Sequence, residues 1–312
     1  MGEKITSSLP PTPALPGKAA LIAGLRSHIL SLERHAPRRG LWAAEADPSR
    51  GHSTALPRPE QGWRLGCAAV DALLPAGFEA GALHEVKGDP SAAEGASAAD
   101  WIAGFGFAVR LAVRRIDGLA AEGGAASRPW LLWCWPRSLS LEFGSPMMGG
   151  FLRLGLDASR LIVVETARAS EALNAIEEGL KAQSLAVVIG ALDEADLTPA
   201  RRLSIAAGET ATPCLLVTHP ASEPAAATAT RWRVQRQPSA PHSFDPRAPG
   251  ATRFSISLER CKARPESAAQ PAVLVEWSDE TRRFNLASVM ADLPAETRRA
   301  GGSAFSPAIR SR

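Results

Sequence analysis

The chain has 312 residues, a formal net charge of +3 and 45% hydrophobic residues, enough apolar material for one large domain or two smaller ones. The charge is too small to announce a nucleic-acid binder by itself, and the longest apolar runs are strand-length, which argues against a membrane-spanning helix. Cys67, Cys134, Cys214 and Cys261 stand too far apart for a CxxC metal site or a disulfide framework. They read as core thiols of a cytoplasmic protein, in keeping with an N-terminus that carries no apolar signal core.

Residues 1–17 include Pro10, Pro11, Pro13 and Pro16 and read as disordered. Ile22, Leu25, Ile29 and Leu32 then recur at 3-4-3 spacing, which predicts a helical arm over 18–36 with one apolar stripe. That stripe needs a cover, either the body of its own chain or a neighbouring subunit or partner taking the helix in a groove. Pro37, Pro48, Pro57 and Pro59 make 37–62 a linker.

The body begins near Trp63, with a turn and short helix over Arg64 to Leu74 and a glycine-punctuated turn over Pro75 to Gly81. Leu83 to Val86 reads as a buried strand, Lys87 to Ser97 as a glycine-bearing loop, and Ala98 to Ile116 as an apolar helix. Strand, glycine loop, helix is the layout of a phosphate-binding loop. Its remnants here are Gly88, Gly95 and Ser97. Ala96 stands where the lysine that reaches the phosphates belongs, and Gly88 lies two residues too far upstream. Glycines that merely permit a tight turn are the preferred account of the segment, though loop amides and a helix N-terminus attract phosphate without a lysine.

Further strands are predicted at Trp130–Trp135, Leu161–Glu165, Leu185–Ile189 and Cys214–Thr218, alternating with helices at Gly149–Leu156, Ala167–Gln183 and Pro199–Gly208. Leu173, Ile176 and Leu180 form the buried stripe of the second of these helices. This rhythm implies an α/β fold, a mostly parallel sheet with helices on both faces. Beyond Pro220 the composition turns to Ala, Pro and Ser. Phe254–Arg260, Ala272–Trp277 and Arg282–Leu286 then read as a meander of short antiparallel edge strands, and 291–312 as a basic tail with Phe305 and Ile309 as anchors for a partner.

Arg231, Trp232, Arg233 and Arg236 interleave cations with an aromatic. That pattern suits phosphate contact with base stacking, and it suits equally an edge strand whose charges guard it against aggregation. Among the histidines, His84 reads as packed and His219, at a strand end, as a minor site candidate. Asp193, Glu194 and Asp196 read as a solvated acidic loop.

The order Leu65 to Leu74, Gly77, Gly81, strand, glycine loop resembles the approach to the phosphate loop in RecA-like ATPases, and Leu152-Arg153-Leu154-Gly155-Leu156-Asp157 resembles a turn of that family. Three segments carry a closer resemblance, to the ImuA (inducible mutagenesis protein A) family of degenerate RecA relatives. They are Leu65 to Gly88, Leu192 to Val217 with Leu197-Thr198-Pro199-Ala200-Arg201-Arg202-Leu203, and the C-terminal run Arg231-Trp232-Arg233-Val234, Leu258 to Lys262, Val275-Glu276-Trp277 and Arg283-Phe284-Asn285-Leu286. The resemblance covers about residues 63–290. It implies a RecA-like core and an adaptor of damage-inducible, error-prone translesion synthesis. The implied partners are an ImuB-like Y-family polymerase homologue, RecA and an error-prone polymerase III α subunit, with weak DNA binding. ATP hydrolysis would need a phosphate-loop lysine, a carboxylate after the second strand and an aspartate at the end of the fourth. The sequence offers alanine, Trp135-Pro136 and Ile189-Gly190 at these places, so no catalytic residue, cofactor or metal is expected. The competing readings are a DNA-dependent ATPase of the RecA type and an SOS inhibitor of cell division.

Overall fold

The computed structural model describes residues 62–287 except 75, 90–97, 124–129, 183, 243, 246 and 265–270. The expected disordered start, the arm with Ile22, Leu25, Ile29 and Leu32, the loop glycine Gly95 with Ser97, and the tail with Phe305 and Ile309 lie outside the described residues.

Continuous apolar runs make three of the interior strands, Trp130–Pro136, Leu185–Leu192 and Cys214–Thr218. β1 (Leu83–Gly88), β2 (Trp130–Pro136), β3 (Leu161–Thr166), β4 (Leu185–Leu192) and β5 (Cys214–Thr218) run parallel, and β6 (Thr230–Gln237) joins β1 in parallel. β7 (Arg253–Cys261), β8 (Val273–Ser278) and β9 (Arg283–Leu286) follow β6 as an antiparallel meander, as the sequence suggests. The described residues form one nine-stranded sheet in the order β3-β2-β4-β5-β1-β6-β7-β8-β9.

The helices are α1 (Ala68–Asp71), α2 (Ala98–Gly123), α3 (Arg137–Phe143), α4 (Met148–Arg153), α5 (Ala169–Lys181) and α6 (Leu197–Thr210). They separate by crossover direction. α1 to α4 pack on one face, where Phe107, Leu111, Leu139 and Phe151 meet Trp133, Val187 and Val217. α5 and α6 pack on the other, where Ile176, Leu180 and Leu203 meet Leu132, Val188 and Leu216. Chain that leaves β1 and β2 toward one edge, and β3 and β4 back toward the other, places its helices on opposite faces when every crossover is right-handed.

Several boundaries differ from the sequence reading. β1 continues through Lys87 and Gly88, which read as loop, because the pairing of β1 with β5 and β6 carries its backbone that far. α2 runs on to Gly123, and α3 is an additional helix directly after Pro136. β4 extends to Leu192 and is buried along its whole length. Gly190 makes this possible, since a Cβ there would stand 2.5 Å from Cδ1 of Ile176 on α5. Asp193 therefore follows directly on a strand end instead of standing several residues beyond it. The segment 231–236, expected at a sheet edge, is interior, flanked by β1 and β7.

Candidate functional site at the carboxyl ends of the parallel strands

In open α/β sheets ligands bind beyond the carboxyl ends of the parallel strands, so the residues at those ends define the candidate site. β1 ends on Gly88. A Cβ at this position would lie 2.1 Å from the carbonyl oxygen of Asp100 in the first turn of α2. The missing side chain thus lets α2 settle directly on the strand. Asp89 follows, its N–H bonded to the Val234 carbonyl at 2.8 Å; burial raises its carboxyl above the usual range.

Lys87 is wholly buried and directed to the opposite face of the sheet. Its ammonium donates to the Ser222 carbonyl and, at 3.0 Å, to the Ser222 hydroxyl. Burial lowers its pKa, with the Glu85 carboxylate opposing. The next cation in the sequence is Arg110, halfway along α2. It donates to the Gly106 carbonyl at 2.9 Å and to the Thr252 hydroxyl at 3.2 Å, and lies over the rings of Phe254 and Trp277. Burial lowers its pKa to about 10.

At the other strand ends, Trp135 and Pro136 lead into α3, and Arg137 stands 3.9 Å from the exposed Glu165. Asp193 and Glu194 are exposed beyond β4. His219 beyond β5 donates its backbone N–H to the Asp193 carbonyl at 3.1 Å, and its Nδ1 accepts from the Ala221 N–H at 3.1 Å. Nδ1 acts here as the acceptor nitrogen of the ring. Trp101 meets this imidazole edge-on at 5.4 Å. A chain of aromatic contacts continues from Trp101 to Phe105 at 5.5 Å, to Trp133 at 5.5 Å and to Trp135 at 5.6 Å. Packed indole and phenyl rings thus line the start of α2 and the end of β2.

On the face to which Lys87 turns lies a buried polar layer. The Glu85 carboxylate accepts from the Thr218 hydroxyl at 2.8 Å, from the Ala225 N–H at 3.0 Å and from Arg231 Nε at 2.7 Å. Arg231 also donates to the Ala225 carbonyl at 2.9 Å. Arg233 pairs with Glu259 at 2.8 Å and donates to the Pro220 carbonyl at 3.3 Å. These bonds fasten the connection 219–229 over β1 and β6. Trp232, alternating with the two arginines, points to the other face. It is fully buried, stacks on Phe78 with centroids 5.5 Å apart, and donates its indole N–H to the Thr230 hydroxyl. The sequence pattern suggests this indole as a base-stacking platform; its complete burial removes that role. Of the four residues Arg231, Trp232, Arg233 and Arg236, only Arg236 is exposed.

His84 completes the Trp232 side. Its Nε2 lies 2.8 Å from the Glu79 carbonyl, which can only accept, so Nε2 carries the proton and Nδ1 accepts from the Thr230 hydroxyl at 2.8 Å. Burial lowers its pKa to about 4. This is a packed histidine, as its place in a strand suggests. Among the described residues no group of three or more His, Cys, Asp or Glu is placed to hold a metal ion, and no helix is long and apolar enough to cross a membrane. The four cysteines are buried and free.

Sequence reasoning missed the Glu85–Arg231 pair and the bonds of Lys87 to Ser222, although it expected Lys87 to stay out of the loop. The signal available was alternation: in Leu83-His84-Glu85-Val86-Lys87 the two charges share one face of a strand otherwise fit for the core. No family model matches the chain. It is 29% identical over 211 residues to Protein ImuA of Caulobacter vibrioides, in both strain NA1000 / CB15N and strain ATCC 19089 / CB 15. The match covers 64% of this chain and 78% of that protein.

Proposed function

The chain belongs to the ImuA family, and from that premise we propose that it is a non-catalytic adaptor of damage-inducible, error-prone DNA synthesis, built on a RecA-like core and working in the cytoplasm. Its partners in this reading are a Y-family-polymerase-like protein of the ImuB type, RecA and an error-prone polymerase III α subunit. The strand order supports the RecA-like assignment. β1, which leads into the glycine loop, is separated by the single strand β5 from β4, the strand whose end would order Mg²⁺ in an ATPase of that kind.

The observation that carries the non-catalytic reading is the pair Lys87 and Gly88. The one lysine near the loop is fastened to Ser222 on the far face of the sheet, and the glycine is used for contact with Asp100. Phosphoryl transfer relies on a cation at the transferred group, and the chain from Gly88 to Val109 contains no lysine or arginine. Asp193 stands directly at the end of β4, so a carboxylate is present there, and the reading rests on the missing cation and on Trp135-Pro136 after β2.

Turnover of ATP by the purified chain, with and without single-stranded DNA, tests the proposal. The expected result is no hydrolysis above background. Robust hydrolysis that disappears in Ser97→Ala would replace the adaptor with an ATPase. Affinity capture from damaged cells is expected to recover the polymerase-like partner; recovery of the tubulin-like division protein without any polymerase would favour the division inhibitor.

A further inference from the structure

The largest concentration of exposed apolar side chains among the described residues lies in α3, α4 and the turn between them. Leu141 is 75% exposed, Met147 77%, Leu152 57% and Met148 38%. Met148 and Leu152 are one turn apart on the outer side of α4, whose inner side buries Phe151. Isolated exposed apolar residues are ordinary, but four within twelve residues of chain are a concentration of the kind found at contact surfaces. Methionine suits such a surface because its side chain adapts to what covers it.

The glycines of the same segment point the same way. A Cβ at Gly144, Gly149 or Gly150 would meet nothing within 4 Å. Elsewhere the close-packed glycines Gly88, Gly179 and Gly190 admit a neighbour that a Cβ would strike. Gly149 and Gly150 weaken a short helix and return no packing within the described body. Open glycines beside apolar side chains are what a second helix needs to approach closely.

We propose that this patch is the docking surface for the chain's own segment 18–35, through Ile22, Leu25, Ile29 and Leu32. This inference is independent of the mutagenesis reading. The stripe of this segment is apolar at helical spacing and requires a cover. The described chain begins at Gly62, and Trp63 packs in the same core cluster, on the same face of the sheet, as Leu139 of α3 and Phe151 of α4. A chain of the linker's length, residues 37–62, has an average span of roughly 30 Å by random-coil statistics, against a body whose radius of gyration is about 17 Å. A tether of that length holds the segment at an effective concentration on the order of millimolar, so a second copy at micromolar concentration competes at roughly a thousandfold disadvantage for the same contact.

Cross-linking in the full-length chain tests the proposal, helped by the burial of all four native thiols. Ile29→Cys with Met148→Cys, treated with a short bis-maleimide at low micromolar protein, is expected to give a product of monomer mass. The control pairs Ile29→Cys with Ile205→Cys, an exposed position on α6 at the opposite face, and is expected to react about tenfold more slowly. Equal rates for the two pairs, or a product mainly of dimer mass, overturn the proposal, the latter in favour of a second copy. A second measurement does not depend on linker chemistry. In the full chain, Leu25→Asp with Ile29→Asp is expected to speed hydrogen exchange of residues 148–153 by about tenfold while leaving β4 unchanged. Exchange that stays the same at 148–153 overturns the intramolecular occupant and leaves the patch to a helix of another protein.

Discussion

The two faces of β1 are built on different principles. On one, His84, Val86 and Gly88 meet rings and backbone: Trp63 and Phe78 beside the imidazole, Asp100 against the glycine. On the other, Glu85 and Lys87 sit in an ionic layer with Arg231, Arg233 and Glu259 beneath the connection 219–229. Both faces bury titratable groups. The first holds its histidine between rings, a backbone carbonyl and a hydroxyl; the second pairs Glu85 with Arg231 and Glu259 with Arg233 and gives Lys87 the carbonyl and hydroxyl of Ser222. The two faces thus satisfy buried polar groups by different partners, and each arrangement can be broken separately.

The ionic face should break hardest. Glu85→Ala leaves the Arg231 guanidinium in a site that is 14% exposed, without its carboxylate, and releases the Thr218 hydroxyl and the Ala225 N–H. Removing one member of a buried pair typically costs about 3–5 kcal/mol, and a loss of that size is expected in urea denaturation, together with faster proteolysis within 219–229. Replacing both partners, Glu85→Leu with Arg231→Met, should recover most of the loss, because an apolar pair of similar volume is often neutral. A single variant that proves neutral would mean that the loop does not depend on this pair.

The aromatic face should respond to acid instead. The His84 pKa falls from 6.5 to about 4 in the folded chain, so between these values the unfolded chain binds a proton that the folded chain refuses. Stability conferred by the neutral ring is full above pH 6.5, declines as pH falls toward 4 and changes no further below. The expected loss is about 3 kcal/mol across that window. His84→Gln should be less stable at pH 7 and should flatten this part of the pH dependence. An unchanged slope between pH 6.5 and 4 would show that protonation of His84 is not opposed by the fold.

The contrast also explains what the sequence revealed and what it concealed. Alternating apolar runs and helix periods were enough to place β2, β5, the α5 stripe at Ile176 and Leu180, and the C-terminal meander, because burial on both faces writes itself into composition. The polar side of β1 was concealed because pairing cancels the signal. Glu85 and Arg231 are 146 positions apart, and each alone looks like a residue for the surface. The same cancellation made Arg231-Trp232-Arg233 resemble an edge strand or a nucleic-acid stripe, although β7 covers one side of the strand and Glu85 and Glu259 neutralise the two cations. The extension of β4 past Gly190 was hidden for a different reason. A glycine within a strand reads as punctuation unless the neighbour that fills its space, here Ile176, is known.

The smallest predicted effect is the most telling about the glycine loop. Gly88→Ala places a methyl group 2.1 Å from the Asp100 carbonyl oxygen and 3.0 Å from the Asp100 Cβ. Backbone cannot yield as a flexible side chain would, so the first turn of α2 must move off the strand. Overpacking of this kind costs about 1–3 kcal/mol, to be read from the urea midpoint. A glycine retained to let a phosphate approach gives the opposite result, unchanged stability with loss of nucleotide binding in a filter or fluorescence assay. The two outcomes separate a residue that seats a helix from one that seats a ligand. The contact with Asp100 predicts the first.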